Sequence, residues 1–287
     1  MNKIPNDLTE KLSSIQKVEF RDSTIIFYTN DGIFIYIPIS CDKVIYSYLD
    51  QIGFDKYCVP TSYDNNYTLF KINSTIFTNP IPIFVDLYKK SMHSKSFSID
   101  KKNKIFQRIK KQNLELMNYY HSLQDKIEEM YYPMNSYYQL LINISKIYKL
   151  LIIGDYFMNK WIESSDNSYI EVLVLKNIKT SNFIDNKVID LSKSTRDYYI
   201  FELANYYQNN YLSDGIIDDI LYFEDNFSMS VEDSKLFYGL ISNVWKIDGD
   251  NIDEVKKLVQ YVQKTLMFLS EKYEEDQKQE EDMLKEK

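Results

Sequence analysis

The sequence predicts an α+β fold in which a small, β-rich N-terminal part precedes a larger helical part. Residues 17–40 alternate between apolar and polar side chains on both sides of the turn Asn30-Asp31-Gly32, which is the pattern of an antiparallel hairpin. Further along the chain, apolar residues recur every three or four positions over long segments, as in amphipathic helices. We therefore predict a β-rich lobe at residues 1–85, a helical lobe at residues 86–273 and a charged tail at residues 274–287.

Shorter elements complete the N-terminal lobe. The apolar residues of Cys41–Gly53 have the spacing of a short amphipathic helix. Two β-like runs follow at Tyr67–Ile72 and Ser74–Thr78, before prolines interrupt the pattern and a helix begins at Ile83–Lys90. These elements predict a small sheet that carries one helix.

Two long helices, Lys101–Met130 and Ser136–Glu163, are predicted to face each other in the helical lobe. Short apolar runs at Glu171–Leu175 and Lys187–Leu191 flank an Asn-rich loop and predict a small hairpin. Three further helices are predicted at Tyr198–Asn210, Val231–Val244 and Ile252–Tyr273. The tail after residue 273 is charged, and we interpret it as a solvated helix end or a disordered tag.

Composition and charge exclude several classes of function. The 287 residues carry a net charge of -8, so nucleic acid is not expected as a partner. No apolar run approaches the length of a membrane span, and the N-terminus lacks a secretory signal, so we expect no membrane partner. With two cysteines, Cys41 and Cys58, the chain fits a reducing cytoplasm. The 26 Tyr and 16 Phe against 6 Gly indicate the codon bias of an AT-rich bacterium.

One segment carries a family resemblance. Residues 173–184 resemble the catalytic loop of aminoglycoside phosphotransferases and spore-coat kinases, in which His-Gly-Asp is followed, after four residues, by Asn. Asn177 stands in the position of the catalytic Asp, and Asn182 matches the Asn that follows. Residues 187–192 resemble the next strand of the family, and Asp190 stands where that strand carries a metal-binding Asp. The resemblance implies a protein-kinase-like, two-lobed fold.

Other segments extend the resemblance, which covers Thr24–Tyr206 unevenly. Leu87-Tyr88-Lys89-Lys90-Ser91 resembles a family motif written Leu-His-x-x-Thr or Ser, with Tyr88 in place of His. Residues 197–204 resemble a segment that ends in Asp-Leu-Ala, with Glu202 in place of Asp. Tyr131-Tyr132-Pro133 and the helix around Trp161 resemble the helical insertion of the spore-coat kinase branch.

Several residues that phosphoryl transfer needs are replaced. The reaction requires a carboxylate that accepts the substrate's hydroxyl proton, and the amide of Asn177 cannot do so. The strand expected to carry the nucleotide-binding lysine, residues 32–37, has none, and Tyr36 or a neighbour occupies that position. Two interpretations of Lys71 stay open: it replaces the nucleotide-binding lysine, or it is a solvated residue on its strand. The oxygens of Asn182 and Asp190 remain, and they would suit Mg²⁺ beside a nucleotide.

These departures predict a pseudokinase that acts by binding or scaffolding a protein partner without a cofactor, in the cytoplasm or on a spore coat. One alternative is an active phosphotransferase that uses ATP and Mg²⁺ at Asn182 and Asp190, acts on a small hydroxylated substrate and takes Glu202 or Asp197 as its base. Another is a plain interaction module whose cleft is closed by aromatic side chains. The oligomeric state is not predicted.

Overall fold

The computed structural model describes residues 12, 14–21, 24–39, 42–63, 66–165, 167–176 and 178–285. The chain divides into two compact units, each built from two segments. Met1–His93 and Glu171–Glu202 form the first unit, and Ser94–Ile170 and Leu203–Lys287 form the second. The predicted lobe boundary at residue 85 stays a prediction, because compact units need not coincide with lobes.

An antiparallel sheet organises the first unit. Its strands follow the order β1-β2-β3-β5-β4 and comprise β1 Ile15–Arg21, β2 Thr24–Thr29, β3 Gly32–Ile37, β4 Pro60–Tyr63 and β5 Thr68–Ile72. The predicted hairpin is confirmed, since β2 pairs with β3 and Thr29 lies opposite Gly32 across the turn. Gly32 has a φ of 132°, a backbone conformation that favours glycine.

Two helices join the strands of the first unit. Helix α1, Lys43–Gln51, begins where the Asp42 side chain accepts a hydrogen bond from the backbone N–H of Val44. Helix α2, Ile81–Ser91, follows Pro80 and carries Pro82 in its first turn. Ser74–Thr78 is not a strand, so that prediction is wrong: only Phe77 forms an isolated bridge, to Ile184.

The two faces of the sheet carry different apolar clusters. Alternate residues of each strand point to opposite faces, so neighbours in sequence enter different clusters. One cluster contains Leu12, Ile25, Phe27, Phe34, Tyr36, Tyr67 and Leu69. The other contains Ile26, Ile35, Ile37, Cys58, Phe70, Ile72, Ile184 and Ile189. The second cluster thus joins the sheet to residues more than one hundred positions later in the chain.

Short elements form residues 168–198, most of which belong to the first unit. They are β7 Ser168–Val174, a 3₁₀ turn at Thr180–Asn182, β8 Phe183–Ile184, β9 Lys187–Val188 and β10 Thr195–Tyr198. β8 and β9 form a two-residue hairpin, in which Asp185 and Asn186 have φ values of 57° and 58°. β7 pairs with β10. The predicted hairpin between residues 171–175 and 187–191 is therefore wrong, because the local turn takes β9 as the partner of β8. A further strand, β6 at His93–Ser96, completes the sheet order β10-β7-β6.

Long helices form most of the second unit. They are α3 Ile99–Glu128, α4 Asn135–Glu163, α5 Tyr199–Asn210, α6 Ile216–Phe227, α7 Val231–Ile241 and α8 Ile252–Lys285. α4 packs against α3, α7 and α8, which confirms that the two predicted long helices face each other. α6 was not predicted, and α8 continues through the charged tail as a solvated helix end. Within the described ranges, no helix is both long and apolar enough to cross a membrane.

Candidate functional site

A buried carboxylate lies beneath the predicted catalytic loop. Glu202, at the start of α5, is 5% exposed and accepts hydrogen bonds from the backbone N–H groups of Leu175 and Lys176 at 3.0 and 2.5 Å. The hydroxyl of Tyr88 donates to the same carboxylate. Burial raises the pKa of Glu202, and the hydrogen bonds from Tyr88 and the loop backbone oppose that rise. Glu202 therefore fixes the backbone immediately before Asn177.

Helix α2 contributes two residues of the Leu-Tyr-x-x-Ser segment to this arrangement. Tyr88 is fully buried, and its pKa lies well above the ordinary value because of burial and the neighbouring Glu202. Ser91, one helical turn later, accepts a hydrogen bond at 3.0 Å from the backbone N–H of Leu173 on β7. Tyr88 and Glu202, two of the residues that depart from the family pattern, are thus direct partners.

Lys176 has an unusual backbone conformation. Its φ is 58°, in the left-handed region that costs non-glycine residues about 1–2 kcal/mol. The corresponding position of the family motif, as quoted above, is Gly. The Lys176 ammonium lies 3.5 Å from the carboxylate of Asp197, and both side chains are about half exposed. This surface ion pair contributes little stability, so the contacts to Glu202 hold the strained backbone.

The structure brings together the two predicted metal residues, Asn182 and Asp190. Asn182 accepts a hydrogen bond from the Asp190 backbone N–H at 2.5 Å and donates its amide to the Asp190 carbonyl at 3.0 Å. Asp190 in turn accepts hydrogen bonds at 2.9 and 2.6 Å from the backbone N–H and hydroxyl of Ser192. Both side chains are buried. Ser192 was missed by the sequence reasoning, although Asp-x-Ser is a turn signal.

A narrow cavity separates Asp190 from the sheet. It has a volume of about 10 Å³, which is room for about one water molecule. Among its lining residues are Ile37 and Phe70 of the sheet, together with Asp42 and Tyr46. The sheet residues Ile35, Ile37, Phe70 and Ile72 form an apolar cluster with Ile189, and Thr68 of β5 also lines the cavity.

The two faces of the sheet distinguish Tyr36 from its neighbours at the position expected for the nucleotide-binding lysine. Tyr36 does not line this cavity, because it lies in the cluster on the opposite face of the sheet. Ile35 and Ile37 occupy the face that packs on Ile189. Lys71 is exposed, and its ammonium lies 5.8 Å from the centre of the Phe34 ring, which belongs to the cluster on the opposite face. No lysine therefore reaches the cavity from the described strands of this sheet.

The residues present do not fit a nucleotide with Mg²⁺ in this arrangement. The Asn182 oxygen is engaged with the Asp190 backbone, and one Asp190 oxygen is engaged with Ser192. Over the described part of the chain, no group of three or more His, Cys, Asp or Glu side chains could hold a metal ion. Asn177, the predicted degenerate base, lies outside the described residues, which include its neighbours Lys176 and Ile178.

Solved structures of other proteins share this fold. An aminoglycoside phosphotransferase from Alicyclobacillus acidocaldarius matches with a TM-score of 0.61 and 11% identity, over 96% of this chain and 97% of that chain. The AMP-bound spectinomycin phosphotransferase APH(9)-Ia matches with a TM-score of 0.50 and 11% identity, over 82% and 84%. No protein-family model and no curated protein matches the sequence. The chain therefore has the kinase-like fold of the aminoglycoside phosphotransferases, which confirms the predicted fold class.

Proposed function

We propose that this chain is a kinase-like protein that has lost phosphotransfer and acts by binding a protein partner. The observation that carries the proposal is the apolar sheet face next to Asp190, with a cavity of only about 10 Å³ between them. A nucleotide needs a cleft of several hundred Å³ and a cation that faces its phosphates. The residues around the cavity beside Asp190 instead include the apolar cluster of the sheet and the aromatic side chains of Tyr46 and Phe70.

The polar residues support the same proposal. Asn177 offers an amide in the position of the base, and an amide does not accept a proton at neutral pH. The carboxylate of Glu202 is buried and receives three hydrogen bonds, so it holds the loop and does not face a substrate. The Asn182 side chain is hydrogen-bonded to the backbone of Asp190, and the Asp190 carboxylate accepts hydrogen bonds from Ser192. Glu202, Asn182 and Asp190 thus stabilise the segment instead of leaving it open to a substrate.

A second candidate is an active phosphotransferase, and one observation favours it. Asn182 and Asp190 adjoin each other, as a pair of metal-binding residues would. The proteins of similar structure are named as phosphotransferases. Such an enzyme would need a cleft that opens, with Asn182 released from the Asp190 backbone. Its base would be Asp197, which is about half exposed, because Glu202 is enclosed.

Nucleotide binding separates the two candidates. The unfolding temperature would be measured with millimolar ATP or GTP, each with and without Mg²⁺, since a ligand that binds the folded state raises its stability. We expect no Mg²⁺-dependent shift. A shift that Asp190→Ala abolishes and that Asp253→Ala, at an exposed aspartate, retains would contradict the proposal and favour the enzyme.

The partner would be tested in the protein's own cells. We expect the native chain to sediment as a complex with another protein in buffer that contains no nucleotide, and a chain that sediments alone would refute this half of the proposal. Association with a spore coat, which the sequence resemblance implies, would be tested by fractionation of purified coats.

A further inference from the structure

The exposed face of α3, in the second unit, carries an ordered row of polar side chains. Buried residues of this helix, such as Phe106, Ile109 and Leu116, recur every three or four positions and define its core side. On the opposite side, exposed residues recur with the same kind of spacing. We call this row the α3 strip, and it consists of Lys104, Arg108, Lys111, Glu115, Asn118, Ser122, Asp125 and Glu129.

Charge changes sign along the α3 strip. Its first three residues are basic, whereas its last five include three acidic residues and no basic one. Lys111 and Glu115 meet at the change of sign, where the ammonium lies 3.9 Å from the carboxylate. The charges at the two ends, Lys104 and Glu129, are about 38 Å apart along the helix axis, so they cannot pair within one chain.

The spacing of the α3 strip is the same when it is read in either direction. From residue 104 to residue 129, successive members are 4, 3, 4, 3, 4, 3 and 4 positions apart. A second α3 that runs antiparallel to the first therefore places Lys104 opposite Glu129 and Arg108 opposite Asp125. Two-fold symmetry forms each of these ion pairs twice, and the remaining members of the strip face each other without opposing like charges.

Other arrangements of two copies fit these charges less well. Parallel helices place Lys104 and Arg108 opposite the same residues of the second copy, which brings like charges together. Antiparallel helices shifted by seven residues in one direction place Glu115 opposite Asp125, and a shift in the other direction keeps only the pair of Lys111 with Glu115. Among these arrangements, only the unshifted antiparallel one makes four ion pairs.

Apolar side chains adjoin the middle of the α3 strip. Leu114 is 60% exposed and lines a groove together with Ile152 of α4, which is 58% exposed. The two-fold axis of the antiparallel arrangement passes between Leu116 and Met117. The two copies of Leu114 therefore lie on the same side of the interface, about 8 Å apart along the helix axis. Contact between the copies removes this apolar surface from water.

We propose that the α3 strip is the docking surface for a second copy of this chain, which binds antiparallel to the first about a two-fold axis. Charge complementarity identifies the occupant, because the basic half of the strip matches the acidic half of another copy. The interface is narrow, and exposed ion pairs contribute little each, so we expect a weak, salt-sensitive dimer. This docking is independent of the proposed function, since the purified chain forms the dimer without any other protein.

Sedimentation equilibrium of the purified full chain measures the dimer. At low salt we expect a monomer–dimer equilibrium within a range of about 10–500 μM chain, as is typical of weak interfaces. Raising the salt concentration from about 0.05 M to about 0.5 M shortens the Debye length and should raise the dissociation constant at least about fivefold. A chain that stays monomeric over this range at low salt, or a dimer that salt does not weaken, would overturn the proposal.

Charge reversal tests the register of the two helices. Arg108→Glu and Asp125→Arg each replace two ion pairs with two like-charge contacts, so each should raise the dissociation constant at least about tenfold. A mixture of these two variants, or one chain that carries both substitutions, restores opposite charges and should dimerise within about threefold of the wild type. Lys257→Glu, at an exposed lysine of α8, changes the net charge as Arg108→Glu does and should leave the dissociation constant within about twofold. A wild-type dimer that neither reversal weakens, or that the mixture and the double variant both fail to restore, would contradict this interface.

Discussion

Replacing Glu202 with glutamine tests whether a carboxylate holds the predicted catalytic loop. The substitution keeps the size of the side chain but turns one of its two acceptor oxygens into a donor. Both oxygens receive hydrogen bonds: one from Tyr88 and the backbone N–H of Leu175, the other from the N–H of Lys176. In either orientation, the glutamine amide therefore faces at least one buried donor, which is left without an acceptor.

The expected loss follows from that unsatisfied donor. A buried polar group without a partner costs about 1–3 kcal/mol, so Glu202→Gln should lower the free energy of unfolding by that amount. For 287 residues, an unfolding entropy of about 0.6 kcal/mol/K converts this into a decrease of about 2–5 °C in Tm. Urea unfolding at neutral pH would measure it. Glu271→Gln, at an exposed glutamate, is the control and should change stability by less than about 0.5 kcal/mol.

The partner residue makes the measurement specific. Tyr88→Phe removes one donor to a buried carboxylate and should cost about 1.5–3 kcal/mol. In the double variant with Glu202→Gln, the loss of stability should be about 1 kcal/mol smaller than the sum of the two single-variant losses. Both substitutions remove the same contact, so it is lost only once. A Glu202→Gln variant as stable as the control, or strictly additive losses, would show that this carboxylate does not organise the loop.

Three other changes test the packing and the backbone. Gly154→Ala should lower the free energy of unfolding by about 1–3 kcal/mol, because an added Cβ would lie 1.7 Å from Oγ of Ser242. Gly215→Ser is the control in urea unfolding: its Cβ would meet no atom within 4 Å, so stability should stay within about 0.5 kcal/mol of the wild type. Lys176→Gly relieves a φ of 58° and should leave the free energy of unfolding unchanged or raise it by up to about 1 kcal/mol. Lys176→Val, with a β-branched side chain, should lower it by at least about 1 kcal/mol. If the valine variant were the more stable of the two, the backbone of Lys176 would not be strained. Burial raises the pKa of the Cys58 thiol from 9.0 to about 11, so its alkylation at pH 8 should be at least about 100-fold slower in the folded chain than in urea. The folded thiol keeps its proton up to a higher pH than the unfolded thiol. Its contribution to the free energy of unfolding is therefore present below pH 9 and should be lost as the pH rises from 9 to about 11. The measurement compares the pH dependence of stability in the wild type and in Cys58→Ser.

Local sequence patterns predicted the elements whose structure depends on neighbouring residues. The turn Asn30-Asp31-Gly32 and the alternation around it predicted the β2–β3 hairpin, because a two-residue side-chain period and an Asp-Gly turn are both short-range properties. The three- and four-residue spacing predicted α3 and α4 to within a few residues of their ends. The motif spacing also identified Asn182 and Asp190, which the structure brings into contact.

Long-range pairing was decided only by the tertiary structure. Nothing in the pattern of β7 indicates whether its partner is residues 187–191 or Thr195–Tyr198, since both runs can form a strand. Which residues of β3 face Asp190 also depends on which face of the sheet each side chain takes. A shift of one residue along β3 would place Tyr36 on that face in place of Ile35 and Ile37.

The sequence by itself thus determined the α+β class and the main helices, because periodicity and turn chemistry act over a few residues. Only the tertiary structure joined Tyr88 to Glu202, 114 positions apart, closed the cavity beside Asp190 and buried Oδ1 of Asn113 without a hydrogen-bond partner among the described residues. Burial and the partners of buried polar groups depend on which distant segments pack together, and side-chain packing between those segments determines this in the folded chain.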